Sequence, residues 1–410
     1  MCLYTIGRNM GFITKAVNDV EDPLTESQAI AESIESRGNN VIKLNMGDPA
    51  KYFRTPQNII DAYTNALQEG KTSYLPGQGL MELRAVVAER YSDLYRLRFG
   101  ADAVTITQGA VEALDFLNRS VISKNDSAIL LAPFFTQYLP YILLQEGVPL
   151  MANYDEKRGW DINFEALERT VKKGKKPKYL LLGNPNNPTG TTLAEGSLRR
   201  LVEFANNNDL FIVSDEIYDE IIQRDRFISI GQVASGVPYM ILNGASKNYF
   251  ATGFRIGFSI IPGDDKKSAE LRHAFVKLAF SRLSTNVPAQ HAILEGMAAK
   301  KEHAAFMQTV LPKIHGRRSL AAKLVNESGF LNAVMPDSAF YVFAKIDFEK
   351  LNLKDDREFV GLLLKEQHVQ LTRGSSFGME GYVRFVTLPE ESQIEEAIAR
   401  VKKFCKNHEK

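Results

Sequence analysis

The residues KYLLLGNPNNPTG, at positions 178–190, join a continuous apolar run to a turn rich in Asn, Pro and Gly. A run of this kind, with no polar alternation, is typical of a strand buried on both faces of a sheet. Short apolar runs recur outward from it, and helical patterns separate several of them. We therefore predict an α/β fold with a mostly parallel, doubly wound central sheet and helices on both faces. The other predicted strands lie at 41–46, 104–107, 127–132, 148–154, 210–217, 239–246 and 254–261, and the helices at 109–123, 164–173 and 193–208.

The pattern changes after about Gly263. Three helical segments follow, and then short apolar runs alternate with polar ones before a final amphipathic stretch. This arrangement predicts a smaller α+β domain. We expect a large domain at 48–290 and a small domain built from both chain ends, 1–47 and 291–410. The predicted helices lie at 266–281, 288–300, 302–327 and 390–406.

Composition excludes several classes of protein. The chain has 410 residues with 50 basic and 49 acidic side chains, and 44% of its residues are hydrophobic. This balance is ordinary for a globular protein and unlike that of a disordered chain, collagen or a coiled coil. A net charge of +1 provides no global field for nucleic acid or an anionic membrane, so we expect neither as a partner.

The cysteines, the first residues of the chain and the histidines indicate the compartment and the absence of a metal site. The two cysteines, Cys2 and Cys405, lie at opposite ends of the sequence without a CxxC partner, so no disulfide framework is readable. The first residues carry no signal-peptide pattern, and no apolar stretch is long enough to span a membrane. We expect a cytoplasmic protein.

The six histidines never pair at metal-ligand spacing, so we expect no metal.

Chemically informative residues follow several of the predicted strands. In open α/β sheets, ligands bind beyond the carboxyl ends of the strands, so these residues are expected to meet. Each has an ordinary explanation taken alone: a βα turn, a helix cap or a solvated lysine. Together, on successive strand ends, they favour one binding site. The residues in question are Gly47, Gly109, Ala110, Val111, Phe135, Asn187, Asp215, Tyr218, Ser246, Lys247 and Arg255.

The chemistry that fits this set is that of pyridoxal phosphate (PLP). Lys247 supplies an amine for a Schiff base and for proton transfer, and Asp215 would keep the pyridine nitrogen protonated. Asn187 and Tyr218 would hydrogen-bond to the ring hydroxyl oxygen, which lowers the pKa of the imine. Phe135 would stack on the ring. The helix N-terminus at 109–111, together with Arg255, would hold the phosphate.

These residues resemble the class I/II aminotransferases, the large fold-type-I family of PLP enzymes. The resemblance extends from about Asn45 to Val386 and is most specific at Ser246-Lys247 followed by Gly-Phe-Arg-Ile-Gly at 253–257. Asn-Pro-x-Asn-Pro-Thr-Gly and Asp-Glu-x-Tyr precede it in family order. The resemblance implies an amino-group transfer between an L-amino acid and a 2-oxo acid.

The resemblance also implies roles for residues outside the strand ends. Tyr74 looks like the tyrosine that enters the neighbouring subunit's phosphate site, so the working unit would be a homodimer. Arg384 matches the arginine that binds the substrate α-carboxylate, and Gly47 matches a substrate-contacting glycine. Ala110, Val111, Ser246, Arg255 and the partner chain's Tyr74 would form the phosphate cup.

Three positions depart from the usual family pattern. Val111 and Gly244 stand where many members have hydroxyl side chains, and Phe250 is bulkier than the usual residue at its position. Two hydroxyl donors to the phosphate are thus missing. The departures bear on the affinity for the cofactor and leave the expected chemistry unchanged.

The substrate is less clearly indicated than the reaction. Arg384 accounts for one carboxylate, and a dicarboxylic substrate needs a second cation, for which Arg282 is a candidate. An arginine that caps its own helix end is an equally good explanation of Arg282. The sequence looks most like alanine-type members, although Tyr52 and Phe53 would suit an aromatic substrate. We expect alanine, or a broad set of small and aromatic amino acids, as donor, with 2-oxoglutarate as acceptor.

Other functions are compatible with parts of the same sequence pattern. A β-lyase or decarboxylase uses the same scaffold. A nicotinamide-dependent dehydrogenase shares the doubly wound sheet but requires a GxGxxG in the first βα unit, and Gly77-Gln78-Gly79 has no third glycine at that spacing. A non-catalytic PLP-domain regulator would carry a further DNA-binding module, for which the N-terminal stretch is too short and insufficiently basic.

Overall fold

The computed structural model describes residues 12–173, 177–223 and 226–410. The strands are β1 (Ile42–Lys43), β2 (Val104–Thr107), β3 (Ser127–Ala132), β4 (Val148–Asn153), β5 (Tyr179–Gly183), β6 (Phe211–Asp215), β7 (Tyr239–Gly244), β8 (Gly257–Ile260), β9 (Leu331–Ala333), β10 (Tyr341–Ile346), β11 (Val369–Gln370), β12 (Thr372–Arg373) and β13 (Tyr382–Val386).

The α-helices lie between and after these strands. They are α1 (Lys15–Asn18), α2 (Pro23–Glu35), α3 (Gln57–Gln68), α4 (Met81–Tyr95), α5 (Ala110–Val121), α6 (Tyr138–Leu144), α7 (Phe164–Lys173), α8 (Glu195–Asn207), α9 (Ala245–Asn248), α10 (Lys266–Arg282), α11 (Val287–Ala298), α12 (Lys300–Asn326), α13 (Asp356–Gln367) and α14 (Glu391–Asn407). The sequence patterns predicted α5, α7, α8, α10, α11, α12 and α14 to within two residues at each end, whereas α1, α2, α3, α4, α6, α9 and α13 were not predicted.

The largest sheet in the described part of the chain has seven strands in the order β2-β8-β7-β6-β5-β3-β4. Strands β4, β3, β5, β6 and β7 run parallel, and β8 runs antiparallel to both of its neighbours, β7 and β2. The prediction of a mostly parallel central sheet is confirmed. Because β8 alone is reversed in this sheet, its start lies at the same edge as the carboxyl ends of the other strands.

Both faces of this sheet are covered, as the continuous apolar runs require. In β3, Ile129 and Leu131 enter a core shared with α4, α8 and α11, whereas Ala128, Leu130 and Ala132 enter a core shared with α5 and α10. All five side chains are buried. Side chains that alternate between two apolar layers explain why the strand sequence shows no polar alternation.

The apolar run that contains β1 entered two predictions: it was counted among the strands of the strand–helix alternation, and it lies in segment 1–47, which was assigned to the small domain. In the structure, β1 pairs in parallel with β11, with Ile42 opposite Val369, and does not join the seven-stranded sheet. A neighbouring antiparallel sheet has the order β12-β13-β10-β9. The early residues Ile42 and Leu44 share a core with α12, α13 and α14. A short apolar run does not reveal its pairing partner, which here lies more than 300 residues away in the sequence.

The domain boundaries at 48–290, with both chain ends forming the smaller part, stay a prediction. Cys405 is buried in α14, whereas Cys2 lies outside the described residues, so the prediction about their pairing is untested. Among the helices of the described residues, none combines the length and the apolar character that a membrane span needs.

Candidate active site

A cavity of about 360 Å³ lies at the carboxyl edge of the large sheet and is also lined by residues of β13 and of the segment after β1. Parallel strands bring their carboxyl ends to one edge, so loops far apart in sequence meet there. Most of the predicted site residues line this cavity. They are Gly47, Ala110, Val111, Phe135, Asn187, Asp215, Tyr218, Ser246, Lys247, Arg255 and Arg384.

Lys247 lies on the short helix α9, directly after β7, and its Nζ donates a 2.6 Å hydrogen bond to the carbonyl oxygen of Gly47. Burial lowers the pKa of the Lys247 amine to about 8; Asp48 opposes this shift, and the guanidinium groups of Arg384 and Arg255 add to it. An appreciable fraction of the amine is therefore neutral near physiological pH. A neutral amine is the form that attacks a carbonyl carbon.

Asp215 is the last residue of β6 and faces the cavity. Its carboxylate accepts hydrogen bonds from the Tyr138 hydroxyl at 2.7 Å and from the Ile217 backbone N–H at 3.2 Å. Burial raises the pKa of Asp215 to about 6, and the bond from Tyr138 works against that rise. Above that pH the site presents a held carboxylate, suited to a cationic ring nitrogen. Sequence reasoning missed Tyr138, because no motif marks it.

The neighbouring acid, Glu216, points away from this cavity. Its carboxylate accepts from the Ser214 hydroxyl and from the Ile230 backbone N–H, each at 2.9 Å. Burial raises the pKa of Glu216 to about 8. Of the two adjacent acids, only Asp215 is therefore placed to meet a ligand in the cavity.

The N-terminus of α5 forms an anion-binding corner of the cavity. Gly109 precedes the helix with φ +74°, and among the described residues no side chain caps this end. A Cβ at Gly109 would lie 2.3 Å from Nη2 of Arg255, so that guanidinium lies directly against the turn. A Cβ at Gly257 would lie 2.3 Å from the carbonyl carbon of Gly109. Helix N–H groups and a guanidinium together suit a phosphate.

Arg384 lies in the middle of β13 and is buried. Its Nη1 donates to Oδ1 of Asn187 at 2.8 Å, and its Nη2 donates to the carbonyl oxygen of Asn45. The guanidinium carbon lies 4.7 Å from the ring centres of both Tyr341 and Phe377. Nε has no partner among the described residues. A buried guanidinium with an unpaired donor is suited to a carboxylate ligand.

Three predicted residues do not line the cavity. Gly109 lies just behind the α5 corner, and Tyr74 is 81% exposed on the surface. Arg282 forms an ion pair with Glu112 at 2.9 Å and donates to the carbonyl oxygens of Gly77, Ile106 and Leu283. The donors of Arg282 are thus largely used by groups of this chain, as expected for an arginine at a helix end that binds backbone carbonyl oxygens.

The departures from the family pattern have local explanations. A Cβ at Gly244 would lie 2.8 Å from the Cα of Gly257, so this backbone leaves no room for a serine there. Phe250 does not line the cavity; it is buried and packs edge-on against Phe53 and Phe306. Val111 lines the cavity in the first turn of α5, where backbone N–H groups are the available donors.

The described residues fit PLP well. They provide an amine in Lys247, a carboxylate for a pyridinium nitrogen in Asp215, an anion corner at α5 and a separate carboxylate site at Arg384. Among the described residues, no group of His, Cys, Asp and Glu is arranged to hold a metal ion. This fold and this site define a PLP-dependent enzyme of fold type I.

Comparison with known proteins agrees with that class. The aminotransferase class I and II family matches residues 39–401. An aspartate aminotransferase of Bacillus subtilis is 31% identical over 386 residues, 93% of this chain and 95% of that protein. A glutamate-pyruvate aminotransferase of Escherichia coli is 29% identical over 399 residues, 95% of this chain and 96% of that protein.

A solved structure gives the same result. That of an alanine aminotransferase from Pyrococcus furiosus superposes with a TM-score of 0.92 at 32% identity, covering 97% of this chain and all of that one. The chain belongs to the class I and II aminotransferases and is a PLP-dependent enzyme of that family.

Proposed function

We propose that this aminotransferase moves the amino group of an L-amino acid to 2-oxoglutarate, with PLP held as a Schiff base by Lys247. The observation that carries the proposal is the meeting of three groups in one cavity: the Lys247 amine, the Asp215 carboxylate and the Arg384 guanidinium. Lys247 comes from α9 after β7, Asp215 from β6, and Arg384 from β13 of the four-stranded antiparallel sheet.

PLP supplies an aldehyde and an electron-withdrawing ring that stabilises negative charge on the substrate α-carbon. Lys247, as the neutral amine favoured by its lowered pKa, would take the proton from that carbon. Asp215, held by Tyr138, would keep the ring nitrogen cationic. Tyr218 and Asn187 would contact the ring oxygen, Phe135 would pack on the ring, and the residues at the start of α5, with Ser246 and Arg255, would hold the phosphate.

Arg384 would orient the substrate by its α-carboxylate. Its guanidinium is fixed by Asn187 and by the backbone of Asn45 before any substrate arrives, so little side-chain entropy is lost on binding. Gly47 lines the same cavity, and a side chain at this position would collide with the hydroxyl of Tyr341. A substrate held in this way would present its α-hydrogen to Lys247, which lines the same cavity.

For the amino donor we propose alanine or a broad set of small and aromatic amino acids. Among the residues that line the cavity, the cationic side chains are Lys247, Arg255 and Arg384, and each has a role above. Arg282, the candidate for a second carboxylate, is engaged with Glu112. The relatives are named alanine, aspartate and glutamate-pyruvate aminotransferases. The name glutamate-pyruvate aminotransferase supports 2-oxoglutarate as acceptor, because 2-oxoglutarate is the 2-oxo acid that corresponds to glutamate.

The visible spectrum tests the central role of Lys247. Purified protein reconstituted with PLP should show a yellow band that borohydride bleaches, with the cofactor then attached covalently to Lys247 in a peptide map. Lys247→Ala should lose both features. A covalent label on another lysine would refute the assignment.

A half-reaction distinguishes the transaminase from a β-lyase or decarboxylase. Added amino acid alone should convert the enzyme to its pyridoxamine form and release a 2-oxo acid that keeps all its carbons. Release of CO₂ or of a side-chain fragment in equal amount would favour the competing reactions. A panel of donors with 2-oxoglutarate then ranks alanine against aspartate and aromatic amino acids, and a ranking led by aspartate would contradict the proposed donor.

We further propose a homodimer that shares its active sites. The side chain of Tyr74 is 81% exposed and that of Phe280 is 75% exposed. The two residues lie on adjacent segments of the chain, as shown by Gly77, where a Cβ would lie 2.7 Å from the backbone of Ala279. Exposed aromatic side chains on adjacent segments are typical of an interface. Sedimentation should give a dimer, and Tyr74→Phe should weaken PLP binding in it. A monomer with full activity would refute the proposal.

A further inference from the structure

Tyr341 connects parts of the site to which sequence reasoning gave separate roles. It is the first residue of β10, its side chain is 1% exposed, and it lines the cavity. The strand pairs with β13 so that Tyr341 lies opposite Val386, two residues from Arg384. No motif in the sequence singled it out.

The hydroxyl of Tyr341 lies 2.6 Å from that of Tyr218, and both side chains are buried. Each hydroxyl has one proton to donate. If Tyr218 gives its proton to the oxygen of the cofactor ring, the bond between the tyrosines must be donated by Tyr341. A hydroxyl that accepts a hydrogen bond becomes a stronger donor, because the two bonds polarise each other.

The ring of Tyr341 has a different contact. The guanidinium carbon of Arg384 lies 4.7 Å from the centre of the Tyr341 ring, and it lies at the same distance from the centre of the Phe377 ring. The hydroxyl also lies close to Gly47, since a Cβ at Gly47 would be 2.2 Å from it. The ring therefore contacts the guanidinium of Arg384, and the hydroxyl contacts that of Tyr218.

We propose that Tyr341 is a positioning residue whose hydroxyl strengthens Tyr218 as a hydrogen-bond donor to the cofactor ring oxygen and whose ring fixes the carboxylate-binding guanidinium of Arg384. The proposal rests on the proposed function of this site. It assigns two separable effects to one side chain, which two substitutions can distinguish.

Tyr341→Phe removes the hydroxyl and keeps the ring. A weaker donor at Tyr218 stabilises the ring oxygen less, so the pKa of the Schiff base with Lys247, read from the absorbance spectrum against pH, should rise by about half to one unit. The KM of the amino donor should change less than about twofold, since the contact between the ring and Arg384 remains. Tyr341→Leu should show the same spectral shift and a KM raised about two- to thirty-fold.

Two controls separate this effect from a general structural one. In a Tyr218→Phe background, Tyr341→Phe should shift the Schiff-base pKa no further, because the path through Tyr218 is already absent. Tyr91→Phe removes another buried hydroxyl, one without a partner among the described residues and outside the cavity, and should leave the spectrum unchanged.

An unchanged Schiff-base pKa in Tyr341→Phe overturns the proposal, as does an equal shift in the Tyr218→Phe background. A KM raised as much by phenylalanine as by leucine overturns the role of the ring. Should Tyr341→Leu fail to fold, the phenylalanine variant alone still decides the role of the hydroxyl. If wild-type protein shows no pH-dependent band that Lys247→Ala removes, the proposed function itself fails, a result distinct from all of these.

Discussion

Replacing Gly257 by alanine should displace the N-terminus of α5 and weaken the grip on the cofactor phosphate. Gly257 begins β8, and a Cβ there would lie 2.3 Å from the carbonyl carbon of Gly109 and 2.4 Å from the nitrogen of Ala110. These neighbours are backbone atoms, so the overlap with the new Cβ cannot be relieved by the rotation of a side chain. The helix start itself must move.

The size of the effect follows from these distances. Non-bonded carbon atoms are comfortable at roughly 3.5 Å, so the turn must shift by about 1 Å. Overpacking of this kind typically costs about 1–3 kcal/mol. The turn avoids this cost by moving away from the position in which it binds phosphate, and PLP binding must then restore that position. PLP affinity should therefore fall by about 5- to 150-fold.

The assay compares two ligands and two glycines. Dissociation constants for PLP and for pyridoxal, which lacks the phosphate, are measured by absorbance titration of cofactor-free protein. Gly253→Ala is the matched control, because Gly253 lies in the same five-residue motif and a Cβ there has nothing within 4 Å. Gly257→Ala should lose affinity for PLP and much less for pyridoxal, whereas Gly253→Ala should resemble wild type.

Two outcomes would refute this reasoning. If Gly257→Ala binds PLP as tightly as Gly253→Ala does, the close approach of β8 and α5 does not control the phosphate site. If pyridoxal binding falls as much as PLP binding, the damage is general and the anion corner is not its origin.

Three further predictions concern the charged groups. Arg384→Lys loses the planar pair of donors, so the KM of the amino donor should rise about 10- to 100-fold with an unchanged cofactor spectrum; an unchanged KM would place the carboxylate elsewhere. Tyr138→Phe removes the donor that opposes the raised pKa of Asp215, so this pKa should rise by about one unit above 6. The pH below which PLP binding weakens should move up equally, and a fixed midpoint would argue against this role. Burial lowers the pKa of Lys247 from 10.5 to about 8, so its charged form destabilises the cofactor-free fold by about 3 kcal/mol below pH 8. Lys247→Met should therefore be more stable to urea at pH 7, and this gain should disappear as the pH approaches 10.5; a gain independent of pH would contradict this.

The sequence determined the central sheet and the chemistry at its edge. Strands buried on both faces must be apolar throughout, and such runs are readable without knowledge of their partners. Residues directly after parallel strands must share one edge, whichever strand order the sheet adopts. For this reason the sequence alone predicts that Asn187, Asp215 and Lys247 line one cavity.

Only the tertiary structure decided which partners complete that cavity. It showed that β1 pairs with β11 in particular, and that Glu216, next to Asp215, turns to the backbone of Ile230. It also brought Tyr138 to Asp215 and Tyr341 to Tyr218 across 77 and 123 residues of sequence. These contacts depend on how separate elements pack, and a hydrogen bond between side chains so far apart leaves no local pattern in the chain.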